Sequence, residues 1–411
     1  MRQSQQILET SGSGHNFLAL LQQEVDLGGD ALRRGNPDVA VTLFQSALSK
    51  MNSRLPFYDH IVHNLLNAYK ALVEKLFRSG DIETAFAFLK PALSLEICGE
   101  MAKDAGFRRR FADVYQNLGL VFFENAQMDA CIACCRRAIA IQPCPTYYVN
   151  LNNALALTGK PALLSDFTTK IRPDALGRHI FIACVPKSAS TFLKNLLINV
   201  TGYRELFAVY AAGQNEHELY LPTLLEYAEA DTVTQQHCRA SDANLNLMQA
   251  FGIKPIVLVR DIFDSLMSLF DFYNDQGAYL NTYFRKDFPN LDRETQIDLL
   301  IENVVPWYFQ FVASWSDAER QKRIEIRWLK YEDLISDKLR STSEVLKFYG
   351  LGASTKNIEA RITQTESGER KIRFNKGVAG RGMTGISEGQ NERIRRMARF
   401  YPSTDFGRIG L

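Results

Sequence analysis

Six consecutive apolar residues, Ile180-Phe181-Ile182-Ala183-Cys184-Val185, run straight into Pro186-Lys187-Ser188-Ala189-Ser190-Thr191. An apolar run of this length with no polar alternation reads as a buried strand. Together with its flanks it predicts a strand over His179–Val185 and a helix over Thr191–Val200. The pattern recurs downstream, with strands over Lys254–Arg260 and Arg323–Leu329 and helices over Phe263–Tyr273 and Asp337–Tyr349. Strands alternating with helices predict an α/β domain built on a parallel sheet. In such sheets ligands bind beyond the carboxyl ends of the strands.

The first 160 residues are patterned differently. Apolar residues recur there at intervals of three and four, and proline is sparse, so the region reads as helical throughout. Ala40, Phe44 and Ala47 stand at i, i+4, i+7; Ala85, Leu89 and Ala92 repeat the spacing, as do Cys131, Cys135 and Ala138. Leu27-Gly28 lies thirteen residues before the first set and Leu118-Gly119 thirteen before the third. Small residues at these places let paired helices approach closely. The pattern resembles the tetratricopeptide repeat, although the sets are 45 and 46 residues apart, longer than the family's usual length of about 34. Such a region serves either as a surface for a protein partner, or for self-association, or as a packed shoulder. The expected organisation is a helical-repeat domain over 1–160, a linker over 161–177 and an α/β domain over 178–411.

Composition narrows the partners. A net charge of +2 lacks the basic stripe of a nucleic-acid binder. The N-terminus shows no apolar signal segment, and no run of about 18 apolar residues is present, so the expectation is a cytoplasmic protein without a membrane span. Seven cysteines then read as reduced thiols. Cys131, Cys134 and Cys135 read as small packed side chains, because no second Cys/His pair stands at zinc-ligand spacing.

A strand, a tight loop and a helix N-terminus form a cradle for an anionic oxygen cluster, since backbone N–H groups and the helix dipole both favour negative charge there. Ser188, Ser190 and Thr191 add hydroxyls and Lys187 a mobile charge. A Walker A loop is excluded, because its glycines are missing and lysine comes early. The segment Val185–Phe192 resembles the 5'-phosphosulfate loop of sulfotransferases that use 3'-phosphoadenosine 5'-phosphosulfate (PAPS), whose usual form is Pro-Lys-Ser-Gly-Thr/Ser-Thr-Trp/Phe-Leu. Ala189 departs from it at the glycine. The resemblance implies a P-loop-like fold and a PAPS co-substrate held by Lys187, Ser188, Ala189, Ser190, Thr191 and Phe192.

Three further segments follow in the family's order. Arg260 ends the second strand and Ser268 lies eight residues on, which implies a 3'-phosphate site. Tyr331-Glu332-Asp333-Leu334 resembles the segment whose tyrosine contacts adenine; Asp333 reads as a helix cap. Arg373-Phe374-Asn375-Lys376-Gly377-Val378-Ala379-Gly380 resembles the Arg-Lys-Gly-x-x-Gly loop, implying Arg373, Lys376 and Gly377 as nucleotide contacts; Asn375 replaces the arginine, for which Arg373 or Arg381 compensates.

Sulfuryl transfer resembles phosphoryl transfer and calls for positioning, a cation at the leaving oxygen and a base, with no metal. Lys187 is the expected cation and His237 the expected base, with Ser268 completing the catalytic set. The family's catalytic histidine follows a strand in this interval. Glu216 is the rival base. The acceptor is a small molecule or saccharide by expectation, with Tyr210, Tyr220, Tyr227 and Tyr273 available either to line its pocket or to fill the core. The competing readings are a P-loop kinase and a non-catalytic repeat scaffold that only holds nucleotide.

Overall fold

The computed structural model describes residues 12–51, 57–159, 162–168, 170–209, 216–276, 287–367, 380 and 382–411. The chain separates into two compact units, Met1–Gly159 and Lys160–Leu411.

The first unit is a succession of helix pairs. Gly12–Arg33 packs on Pro37–Ser49, which packs on Tyr58–Ser79; Ala105–Glu124 packs on Met128–Ile141, and that on Pro145–Leu157. The small residues read from the sequence sit at these contacts. A Cβ on Gly28 would stand 2.8 Å from the Phe44 ring, and one on Gly119 would stand 3.1 Å from Cys134 Cβ. Ala40, Phe44, Ala47, Cys131, Cys135 and Ala138 are all buried. The middle set departs from expectation. Its helix is broken into Ile82–Ala87 and Leu89–Leu93, and Leu89 is only half-buried. Pro91 lacks the N–H that a continuous helix needs and its ring crowds the preceding turn.

The second unit holds a sheet of five parallel strands: β1 (His179–Cys184), β2 (Arg204–Leu206), β3 (Thr232–Gln236), β4 (Lys254–Val259) and β5 (Arg327–Lys330), in the order β2-β3-β1-β4-β5. Every β1 residue is buried. Side chains alternate between faces, so Ile180, Ile182 and Cys184 join one apolar core with Phe192, Leu193, Leu196, Leu197, Val345 and Ile358. The helices Ser190–Thr201, Lys338–Phe348 and Thr355–Glu366 supply that core. β5 starts at Arg327 rather than Arg323: a turn with Lys322 at φ +53° occupies the stretch before it. A 28-residue helix, Arg293–Arg320, carries Pro306 within it and packs on Ile262–Gln276.

The register fixes what comes together. Cys184 pairs with Leu258, Ala183 with Gln236 and Val259 with Lys330. Because all the strands run the same way, the residues that follow them emerge along one edge: the Val185–Thr191 loop, His237, Arg260 and Tyr331. β1 lies between β3 and β4, so this edge includes the crossover where ligand crevices form.

Candidate functional site

The loop after β1 is held in an unusual backbone shape. Lys187 (φ +66°) and Ala189 (φ +62°) are both left-handed, a conformation costing an L-residue about 1–2 kcal/mol. Ser188, fully buried between them, donates its hydroxyl to the Val185 carbonyl at 2.6 Å. Two side chains from elsewhere grip the next two carbonyls of the loop. Tyr308 Oη donates to Pro186 O at 2.8 Å, and Arg260 Nη1 to Lys187 O at 2.9 Å. The Lys187 ammonium lies 4.3 Å from the centre of the Phe272 ring.

The helix that follows starts without a cap. The helices Asp242–Ala250, Arg293–Arg320, Lys338–Phe348, Thr355–Glu366 and Glu388–Ala398 each begin with a Ser or Asp whose side chain accepts an amide of the first turn. Ser190–Thr201 begins at Ala189, which has no side chain to do this. No side-chain cap therefore takes up its first-turn N–H groups, which point toward the loop. Phe192, expected among the loop's nucleotide contacts, buries its ring in the core beneath the sheet.

Arg260 is 7% exposed. Its guanidinium stacks 4.0 Å from the centre of the Tyr331 ring, and Nη2 lies 3.9 Å from Asp264 Oδ2. Its Nε is buried with no acceptor among the described residues. Ser268 is also buried, four residues past Asp264 and so on the same helix face. Asp264 itself reaches across the fold, its two oxygens accepting the amides of Gly380 and Gly382 at 2.7 Å each. Gly382 has to be glycine here, since a Cβ would stand 2.4 Å from the Phe263 backbone. Arg373, Asn375, Lys376, Gly377 and Arg381, together with Tyr210, lie outside the described residues.

His237 directly follows β3. Its Nδ1 is 2.9 Å from the Cys184 carbonyl and 3.4 Å from Cys184 Sγ. Burial opposes charge on His237, but the adjacent Cys184 outweighs it and holds the imidazole above its ordinary pKa. Burial likewise pushes the Cys184 thiol up, and His237 beside it brings the thiol below its usual range. Glu216, the rival base, is engaged by the Arg239 guanidinium, which also donates to Gln310 Oε1 at 2.8 Å.

Asp333 caps nothing: the helix Tyr331–Ser336 starts after Lys330, with Asp333 already in its first turn. It is Glu332 that matters locally, because its carboxylate accepts the Asp261 amide at 3.1 Å and ties the β5 end to the β4 end. Tyr273 is buried against Phe288, and Tyr227 lies under Arg204. No local motif marks Tyr308, Cys184 or Asp264, because each acts on a residue more than 50 positions away.

Residues 177–371 match the family described as sulfotransferase domain. This stretch is a sulfotransferase domain. A mouse sulfotransferase, SULT7A1, complexed with PAP is 16% identical, with a TM-score of 0.44 and coverage of 57% of this chain and 89% of that one. Retinol dehydratase in complex with androsterone and inactive cofactor PAP is 17% identical, with a TM-score of 0.39 and coverage of 57% and 83%. The TPR2AB domain of yeast Sti1 in a pHSP90 complex is 12% identical, with a TM-score of 0.25 and coverage of 85% and 99%. A search of curated proteins found no match.

Proposed function

We propose that this sulfotransferase domain moves a sulfuryl group from PAPS to a hydroxyl or amine of a small-molecule or saccharide acceptor. The observation that carries the reading is the convergence of the Lys187 loop, His237, Arg260 and Tyr331 on one sheet edge, with Arg260 bonded to the loop itself. The donors there suit a ligand with two anionic ends. The uncapped helix after the loop favours one, and the buried Arg260 Nε, which has no acceptor among the described residues, is available for the other. An unmet buried donor costs about 1–3 kcal/mol, which a 3'-phosphate would relieve.

The co-substrate supplies the activated sulfuryl group and a phosphate leaving group. His237 takes the proton from the acceptor oxygen or nitrogen as that atom bonds to sulfur. The bond from sulfur to the phosphate oxygen breaks, and Lys187 offsets the charge left on that oxygen. Ser188, Ala189, Ser190 and Thr191 hold the 5' end through loop amides and hydroxyls, while Arg260 and Ser268 hold the 3'-phosphate. Tyr331 supports Arg260 with its ring face and borders the adenine. Arg373, Lys376 and Gly377 are assigned the closing contacts. The 178–411 domain performs this reaction in the cytoplasm, and the repeats of 1–160, joined by 161–177, bind a protein partner or a second copy.

Calorimetry with adenosine 3',5'-bisphosphate (PAP) followed by a labelled-PAPS screen across acceptor classes tests the reading. PAP binding with label transfer supports it. A preference for ATP refutes it in favour of a kinase, and PAP binding without transfer to any acceptor class refutes it in favour of a scaffold.

A further inference from the structure

Beside His237 stands a second histidine that the proposed reaction does not use. His217 is buried and is joined to His237 twice. Its backbone amide donates to the His237 carbonyl at 2.8 Å, and the His237 amide donates to His217 Nδ1 at 3.1 Å. The two rings stack with centroids 5.4 Å apart and planes 27° from parallel. Phe207 meets the His217 ring edge-on at 5.3 Å.

The segment bearing His217 is itself fastened on several sides. Leu219 donates its amide to Asn244 Oδ1 at 2.9 Å, Tyr220 donates to the Ala208 carbonyl at 2.9 Å, Glu216 pairs with Arg239, and Ser241 donates to Glu218. His217 is thus a fixed bracket rather than a passing contact.

The chemistry of these bonds assigns protons. A backbone amide can only donate, so His217 Nδ1 must be a lone-pair atom, with the proton of the neutral ring on Nε2. A carbonyl can only accept, so His237 Nδ1, facing Cys184 O, carries the proton of the neutral ring. That leaves His237 Nε2 as the basic nitrogen. The Cys184 bond sets the tautomer, and the His217 bracket fixes the backbone and ring plane from which it is made.

We propose that His217 is a positioning residue for His237, holding its backbone and ring so that Nδ1 stays on the Cys184 carbonyl and Nε2 stays available as the base. The catalytic part rests on the reading of His237 as base; the ring-holding part does not.

The test is a long-range 1H–15N NMR spectrum of the histidine rings in the 15N-labelled full chain, with His237 assigned by its loss in H237A. His217→Phe keeps a ring for stacking but removes the acceptor, and His217→Leu serves as a second acceptor-less variant if the first does not fold. His217→Asn restores an acceptor, since Oδ1 takes the place of Nδ1. The wild type is expected to show Nδ1 protonated in the neutral ring; the acceptor-less variants a mixed tautomer; the asparagine variant the wild-type signal. Turnover in the acceptor-less variants should fall about 10–100-fold, the scale of a misplaced catalytic group, with PAP affinity unchanged and recovery in His217→Asn. An unchanged His237 ring signal in folded acceptor-less variants overturns the proposal, as does a folded His217→Asn as defective as they are. Near-normal turnover of H237A sinks the base assignment alone, and the ring signal then still decides whether His217 holds His237.

Discussion

Replacing Arg260 by alanine isolates what a buried guanidinium does at this edge. Among the described residues, Arg260 makes a hydrogen bond to the Lys187 carbonyl at 2.9 Å, has the Tyr331 ring face 4.0 Å away, and has an Nε with no partner. If Nε and a second nitrogen take the 3'-phosphate, two charge-assisted bonds are lost, each about 1.5–3 kcal/mol. Partial replacement by water leaves a net loss near 3–4 kcal/mol, or about 10²–10³-fold in PAP affinity. The change also frees the Lys187 carbonyl, so affinity for PAP alone does not separate phosphate binding from loop shape. Adenosine 5'-monophosphate, which lacks the 3'-phosphate, makes the separation. Wild-type protein should prefer PAP over it by the same 10²–10³-fold, and Arg260→Ala should erase most of that preference while weakening the monophosphate by less than about tenfold. Isothermal calorimetry on both ligands, with melting temperatures as a folding control, gives all four affinities. Equal losses for both ligands would refute the assignment and leave Arg260 as a support for the loop.

Three further outcomes follow from the same geometry. His237 works as a base only when neutral, and its pKa lies above the ordinary histidine value of about 6.5; turnover should therefore rise with pH through a midpoint above about 6.5, and Cys184→Ala, by removing the thiol that raises it, should move that midpoint down. Ala189→Gly removes a left-handed alanine, which should stabilise the folded chain by about 1 kcal/mol, seen in urea unfolding, less the entropy glycine adds to the unfolded chain; a loss of stability would show that the methyl packs usefully. Gly28→Val places atoms where a Cβ alone already stands 2.8 Å from Phe44, so the Gly12–Arg33 and Pro37–Ser49 pair should separate, at a cost of about 1–3 kcal/mol for overpacking, read as reduced helical circular dichroism or a lower melting point.

The sequence by itself determined the class of fold and the local geometry of its parts. Unbroken apolar runs specify buried strands because both faces of such a strand must be covered, and the β1–loop–helix unit follows from residues adjacent in the chain. Gly28 and Gly119 marked close helix contacts for the same local reason, since small side chains at helix spacing have one plain use. Local pattern failed where a single residue overruled it, as Pro91 did within the Ile82–Leu93 stretch and the turn at Lys322 did before β5. Tertiary structure alone decided the strand order β2-β3-β1-β4-β5 and, through it, which motif ends meet. It alone put Cys184 and His217 on His237, Tyr308 on the Pro186 carbonyl and Asp264 on Gly380 and Gly382. A residue's side-chain type and spacing report whether it is buried and what backbone it prefers. The partner it meets depends on the register between strands and the packing of helices far apart in the chain, and no local pattern carries that information.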